Sequence, residues 1–196
     1  GTMMKTLGAA LAALLAVPAA PALPPPIMPV VQQDDVPGIR YAAIALLRCG
    51  DASGTAFWIT PERIITAEHV VDAGACSIEG TPVTILKADR NLDIAELRGV
   101  ANPHTFELRC RGFQTGDSYS AVGWAAGRYL LTLPQIATSS KSYSFGAGGL
   151  RVMVGEVRPG MSGGPVLDGE GRVVGIVNRH SPSRLRDLED TWFCQA

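Results

Sequence analysis

From Tyr41 to Asn178 the chain is a succession of short apolar and β-branched runs, each closed within a few residues by Gly, Pro, Asn or Asp. No stretch there holds a helical period long enough to compete. Candidate strands run Tyr41–Cys49, Thr55–Ile59, Arg63–Thr66, Cys76–Glu79, Val83–Lys87 and Ile94–Arg98. A second set runs Ser118–Gly123, Arg128–Leu133, Ile136–Ser142, Leu150–Glu156, Pro165–Leu167 and Val173–Asn178. Short strands at this spacing predict an all-β sandwich or barrel and exclude alternating βαβ units. The two sets meet near Ala101–Phe113, which reads as a connection between two β units.

Chemistry concentrates in Pro159-Gly160-Met161-Ser162-Gly163-Gly164-Pro165. Glycine accepts positive φ and lets a backbone approach a ligand closely. The run can therefore turn the amides of Gly160 and Ser162 toward one point, as donors to an oxyanion beside a serine hydroxyl. A neutral hydroxyl is a poor nucleophile and needs a base, which in turn needs a buried anion to fix its tautomer. Ile64-Ile65-Thr66-Ala67-Glu68-His69 supplies a histidine just past a β-branched run, and Asn91-Leu92-Asp93-Ile94-Ala95 an aspartate among apolar neighbours. Each residue alone fits an ordinary turn, cap or half-buried histidine. Together they are the three members of a nucleophile, base and orienting acid.

Gly54-Thr55-Ala56-Phe57, Thr66-Ala67-Glu68-His69, Asp93-Ile94-Ala95 and Gly160-Met161-Ser162-Gly163-Gly164-Pro165 resemble, in order, the signatures of trypsin-like, chymotrypsin-fold serine peptidases. The flavour is bacterial, similar to the protease domain of high-temperature-requirement proteases. Gly116–Gly123 and Gly171–Asn178 resemble second-barrel strands of that group, and the likeness covers Val36 to His180. The resemblance implies two six-stranded antiparallel barrels, about 36–100 and 114–182, with the site in the crevice between them. It implies a serine endopeptidase acting on polypeptides through an acyl-enzyme on Ser162, with His69 as general base and acid, Asp93 orienting it, and Gly160 and Ser162 forming the oxyanion hole. No cofactor is implied.

By the same resemblance the pocket for the residue before the scissile bond lies between Glu156–Pro159 and Val177–His180. Val157 and Val177 favour a small aliphatic side chain there, whereas an ionised Glu156 on the floor selects Arg or Lys. Asn178, Arg179 and His180 complete the candidate lining. Met161 departs from relatives that carry an aspartate before the serine, so activation by an inserted N-terminal ammonium is not expected. Two other readings compete. One is a binding or chaperone-like module that keeps the fold and turns over little. The other is an esterase, disfavoured because α/β-hydrolases present Ser, Asp and His in a different order.

Composition narrows the partners. A net charge of -1 with 18% charged residues shows no basic excess for nucleic acid. Three histidines, with no metal-ligand spacing, point away from a metal site. A monomer is the default expectation. Gly1-Thr2 ahead of Met3 reads as a cloning remnant. Leu7–Ala20, uncharged and Ala/Leu-rich over 14 residues, reads as a signal-peptide core ending at Ala20-Pro21-Ala22. Residues 1–22 are thus assigned to export, periplasmic or secreted, with an uncleaved membrane anchor as the alternative. Residues 23–35, with four prolines between Leu23 and Pro29, form an extended linker.

Four cysteines in an exported chain predict two disulfides, and three pairings are open. Cys49–Cys76 is favoured because it clamps the histidine loop, for about 3–4 kcal/mol in the chain-entropy model. Cys110–Cys194 then ties the tail to the connection between the units. In Ser183–Ala196, Leu185, Leu188, Trp192 and Phe193 share a helical face. That spacing predicts a short C-terminal helix docked on the second barrel, or one that binds a partner.

Overall fold

A computed structural model describes residues 39–144, 147–179 and 183–195. The export segment, the linker and His180 lie outside the described residues. The strands are β1 (Ile44–Cys49), β2 (Ala52–Trp58), β3 (Arg63–Thr66), β4 (Cys76–Ile78), β5 (Thr81–Pro82), β6 (Thr84–Asp89), β7 (Ile94–Arg98), β8 (Ser118–Ala125), β9 (Tyr129–Ser144), β10 (Ala147–Gly155), β11 (Pro165–Leu167), β12 (Val173–Arg179) and β13 (Arg184–Asp187). The helical content among the described residues is one α-turn, α1 (Glu68–Val71), and a 3-10 turn at Tyr41–Ala43.

The architecture is all-β in two units. β8 to β13 form a closed barrel in the order β10-β13-β12-β11-β8-β9. The first unit differs from the expected closed barrel: it is a curled seven-stranded sheet, β5-β4-β1-β2-β3-β7-β6. Its outer strand β6 is exposed on both faces from Thr84 to Ala88. A strand with no buried face has little to gain from wrapping onward to β5. Within this sheet Cys49 stands directly opposite Cys76 in the β1–β4 register, and the two are disulfide-bonded.

Two apolar clusters hold the units. One lies inside the closed barrel, around Tyr119, Met153, Val157, Met161, Val166, Val174, Val177 and Leu185. The other combines Leu47, Phe57, Ile64, Ile65, Ile94 and Leu97 of the first sheet with Val122, Leu167, Val173, Ile176 and Leu188 of the second unit. β12 serves both. Val174 and Val177 enter the barrel interior and Val173 and Ile176 the face against the first sheet, a three-residue spacing made possible by the register shift before Gly175. Burial on both faces explains its continuous apolar reading.

β9 runs unbroken through Pro134, where the sequence predicts two strands. β10 ends at Gly155, opposite Gln135, so Pro134 falls just past that ladder, where a missing N–H costs little.

The tail corrects the helical expectation. Leu185 pairs with Val177, and β13 closes the barrel between β10 and β12. Turns follow, and they cross to the first sheet rather than docking on the barrel. Trp192 donates its indole N–H to Glu96 at 3.0 Å and stacks on Phe193. Lys87 lies 4.4 Å from the Trp192 ring. Cys194 is bonded to Cys110. Ladder bonds and the disulfide outweigh a helix of about four turns, which is marginal in water by itself.

Candidate active site

His69 occupies the single turn of α1, directly after β3 delivers the chain to the junction of the two units. Its backbone N–H donates to Asp93 Oδ1 at 3.0 Å, and its Nδ1 lies 2.9 Å from both carboxylate oxygens. Asp93 sits in the turn between β6 and β7, 3% exposed, in the left-handed region at φ 53°. For a residue other than glycine that conformation costs on the order of 1–3 kcal/mol. Burial alone would raise the pKa of its carboxyl group. The hydrogen bond and charge of His69, the His69 amide and Asn178 outweigh burial and hold it below the ordinary value.

Asn178, expected in the lining of the substrate pocket, does line the cleft but turns its side chain elsewhere. It follows Ile176 by two positions on β12 and so faces the first sheet. Its side-chain amide, 1% exposed, donates to the backbone carbonyl and to Oδ2 of Asp93, both at 3.1 Å. Its side chain is thus bound to Asp93, and its main-chain carbonyl faces the Ser162 hydroxyl.

Ser162 is presented from the loop before β11. Its hydroxyl donates to the backbone carbonyl of Asn178 at 3.2 Å. Among the described residues no hydrogen bond joins it to His69. His69, Ser162, Gly160, Asn178 and Arg179 nonetheless line one cleft of about 290 Å³, with Ala52, Ser53, Val70 and Pro159.

The loop around Ser162 is pinned by Thr55, a fully buried residue of β2 that sequence reading left without a role. Its N–H donates to Ser162 O at 2.8 Å and its hydroxyl to Gly160 O at 2.9 Å. The hydroxyl also accepts from Trp124 N at 2.8 Å. Met161 is fully buried in the barrel interior, where its sulfur accepts the Arg158 amide at 3.3 Å.

The carbonyl of Pro159 accepts the Ala126 amide at 2.7 Å. A trans peptide points its C=O and N–H in opposite directions, so this bond turns the Gly160 N–H away from Ala126. Among the described residues neither the Gly160 nor the Ser162 amide has an acceptor. Gly160 (φ 93°) and Gly163 (φ 89°) are required on two counts. Their backbone is left-handed, and a Cβ would strike Trp124 O at the first and Ala67 N at the second.

The remaining candidates separate. Arg179 lines the cleft. Glu156 is corrected: its side chain is 66% exposed and pairs with Arg158 at 3.2 Å, outside the cleft lining. A carboxylate with water on most of its surface has no reason to fold inward. Val157 and Val177, 5% and 1% exposed, belong to the barrel interior and also do not line the cleft. Among the described residues no cluster of His, Cys, Asp and Glu is arranged to hold a metal ion.

The trypsin-like peptidase domain family matches residues 54–176. A curated relative, an uncharacterized protein of Sinorhizobium fredii, is 25% identical over 136 residues, covering 64% of this chain and 22% of the relative. The chain thus spans about a fifth of that relative's length. Among solved structures the fold is similar to the Rv3671c protease of M. tuberculosis in its active form, with a TM-score of 0.64 at 20% identity over 74% of this chain and 75% of that one. It is also similar to the HtrA-type protease AlgW with a tripeptide, with a TM-score of 0.63 at 20% identity over 74% and 56%. Deg5 gives 0.64 at 15% identity over 76% and 84%.

Proposed function

Since this chain belongs to the trypsin-like peptidase family, we propose that it is a serine endopeptidase that cleaves polypeptides through an acyl-enzyme on Ser162. His69 takes the hydroxyl proton as the Ser162 oxygen attacks the scissile carbonyl. It then returns that proton to the leaving amine. Asp93, already ionised, keeps the imidazole Nδ1–H directed at itself and stabilises the imidazolium. The oxyanion falls to the amides of Gly160 and Ser162, worth about 100- to 1,000-fold in turnover for one such donor.

The observation that carries this reading is the grip of Asp93 on His69, through ring and amide together, at the mouth of a cleft that also holds Ser162 and two amides without acceptors. Attack requires Ser162 to leave the Asn178 carbonyl and rotate about Cα–Cβ toward the imidazole.

The parked hydroxyl favours one second reading, an inert binding module of the same fold. Labelling by a fluorophosphonate probe tests both. The disulfide-intact protein should be labelled at Ser162 and degrade casein, and Ser162→Ala should do neither. An unlabelled but folded wild type would favour the binding module.

The two disulfides fit an oxidising compartment. We place the protein outside the cytoplasm, with residues 1–22 as the export signal and 36–182 as the peptidase domain. Recovery of mature protein with a new N-terminus near residue 23 from a periplasmic or culture fraction would support this. Recovery only from the cytoplasm would contradict it.

A further inference from the structure

β13 carries a cation into the interface between the two units. Leu185 points into the barrel interior, so its neighbour Arg186 emerges on the opposite face, beside its ladder partner Ile176 and toward the first sheet. Arg186 is 5% exposed. Its Nε donates to Leu92 O at 2.8 Å and its Nη2 to Asn91 O at 3.5 Å. These are the two carbonyls immediately before Asp93. The same turn is tied from below, where the Leu92 amide donates to Asp89 Oδ1 at 3.0 Å.

We propose that Arg186 is a positioning residue, a latch from the closed barrel that grips the Asn91–Leu92 turn and keeps Asp93 in the left-handed conformation that aims it at His69. This rests on the serine endopeptidase reading. A left-handed aspartate between two strands relaxes toward extended backbone unless its surroundings over-determine it. His69 holds its carboxylate, and Asn178 its carboxylate and its own carbonyl, but these bonds all lie at or beyond Asp93 itself and need the preceding turn already formed. Arg186 acts on that turn directly. A guanidinium suits the task because its rigid planar fork presents donors at a fixed spacing to two successive acceptors, whereas an ammonium offers its donors from one point on a flexible stem.

The latch also crosses the crevice. His69 and Asp93 belong to one unit and Ser162 to the other, so a bond from β13 to the Asp93 turn sets their relative placement. Burial pushes the Arg186 pKa below its ordinary value, while the carboxylates of Asp93, Asp187, Asp190 and Asp89 oppose that shift.

The test uses the oxidised full-length protein with Arg186→Met, Arg186→Lys and a control, Leu188→Ala, which removes a buried side chain just past β13 but none of the hydrogen bonds to the Asn91–Leu92 turn. Three readouts are taken at a temperature where all variants are folded: kcat, KM, and the deshielded Nδ1–H proton of the His69–Asp93 pair by NMR. Arg186→Met should lower kcat about 10- to 100-fold with KM within about twofold, as misplaced catalytic groups do. It should also shift or broaden that proton. Arg186→Lys should recover part of both. Leu188→Ala should lower the melting temperature and leave kcat and the proton resonance unchanged. If Arg186→Met fails to fold, Arg186→Lys carries the comparison, with a kcat loss at constant KM still required. Wild-type kcat in a folded Arg186 variant would overturn the latch, as would a loss that tracks melting temperature in all three variants. An inactive wild type would instead refute the endopeptidase reading.

Discussion

Thr55 donates its hydroxyl to the carbonyl of Gly160 at 2.9 Å, so a side chain of the first sheet sets the loop that carries Ser162 in the second unit. The same oxygen accepts the Trp124 amide. Thr55→Val keeps the shape and removes both bonds, taking partners from a part-buried amide and a part-buried carbonyl. It should lower unfolding stability by about 1–3 kcal/mol and reduce turnover per folded molecule. Thr55→Ser should restore both. Chemical denaturation with parallel kinetics checks this, and a neutral Thr55→Val would show that the loop is held elsewhere.

Met161 fills the barrel interior at the position before the serine. Met161→Ala should cost about 2–5 kcal/mol as a core truncation. Met161→Asp, which buries a carboxylate among apolar side chains, should cost more. Because Met161 makes no ion pair, activity should not depend on a particular new N-terminus. Protein begun at several positions upstream of Ile39 should show equal kcat.

Asp93 is held below its ordinary pKa, so between the two values the unfolded chain binds more protons than the native state. Its contribution is complete above the unfolded-state pKa and is lost as pH falls through the folded-state one. The stability gap between wild type and Asp93→Asn should therefore be widest at neutral pH and close in acid. A gap that stays constant with pH would remove Asp93 as the titrating group.

Asp93, Asn178 and Thr55 differ in how plainly the sequence announces them. Asp93 stands out beside His69 and Ser162 because the proposed acyl chemistry demands those residue types, each in a recognisable setting. Asn178 does not: β12 is buried on both faces, so no alternation shows which way a side chain points, and it was placed in the substrate pocket. Thr55 is a buried strand threonine like many others until its partners are seen. The all-β division into two units was legible from turn spacing. The tail was misread because Leu185, Leu188, Trp192 and Phe193 fit a helical face, while pairing of Leu185 with Val177 is a long-range fact invisible to periodicity.

Glu156 extends into solvent beside Arg158. Glu156→Ala should therefore leave a peptide-library cleavage profile unchanged. Loss of Arg or Lys preference in that variant would return the carboxylate to the pocket.

Ala126 holds the Pro159 carbonyl from a left-handed position, φ 51°. Ala126→Gly keeps that amide and relieves the strain, so it should stabilise the fold by about 1 kcal/mol with turnover unchanged. Thermal melts decide this, and a fall in stability would mean the turn is not strained.

The account stands on one relay, in which His69 draws the proton from Ser162 across the cleft. Mapping of the fluorophosphonate adduct by mass spectrometry, in wild type and His69→Ala, tests it most directly. The prediction is one adduct, on Ser162, formed at least about 1,000-fold more slowly without the imidazole. An adduct that forms at the same rate in both proteins, or none at all in folded wild type, would contradict it.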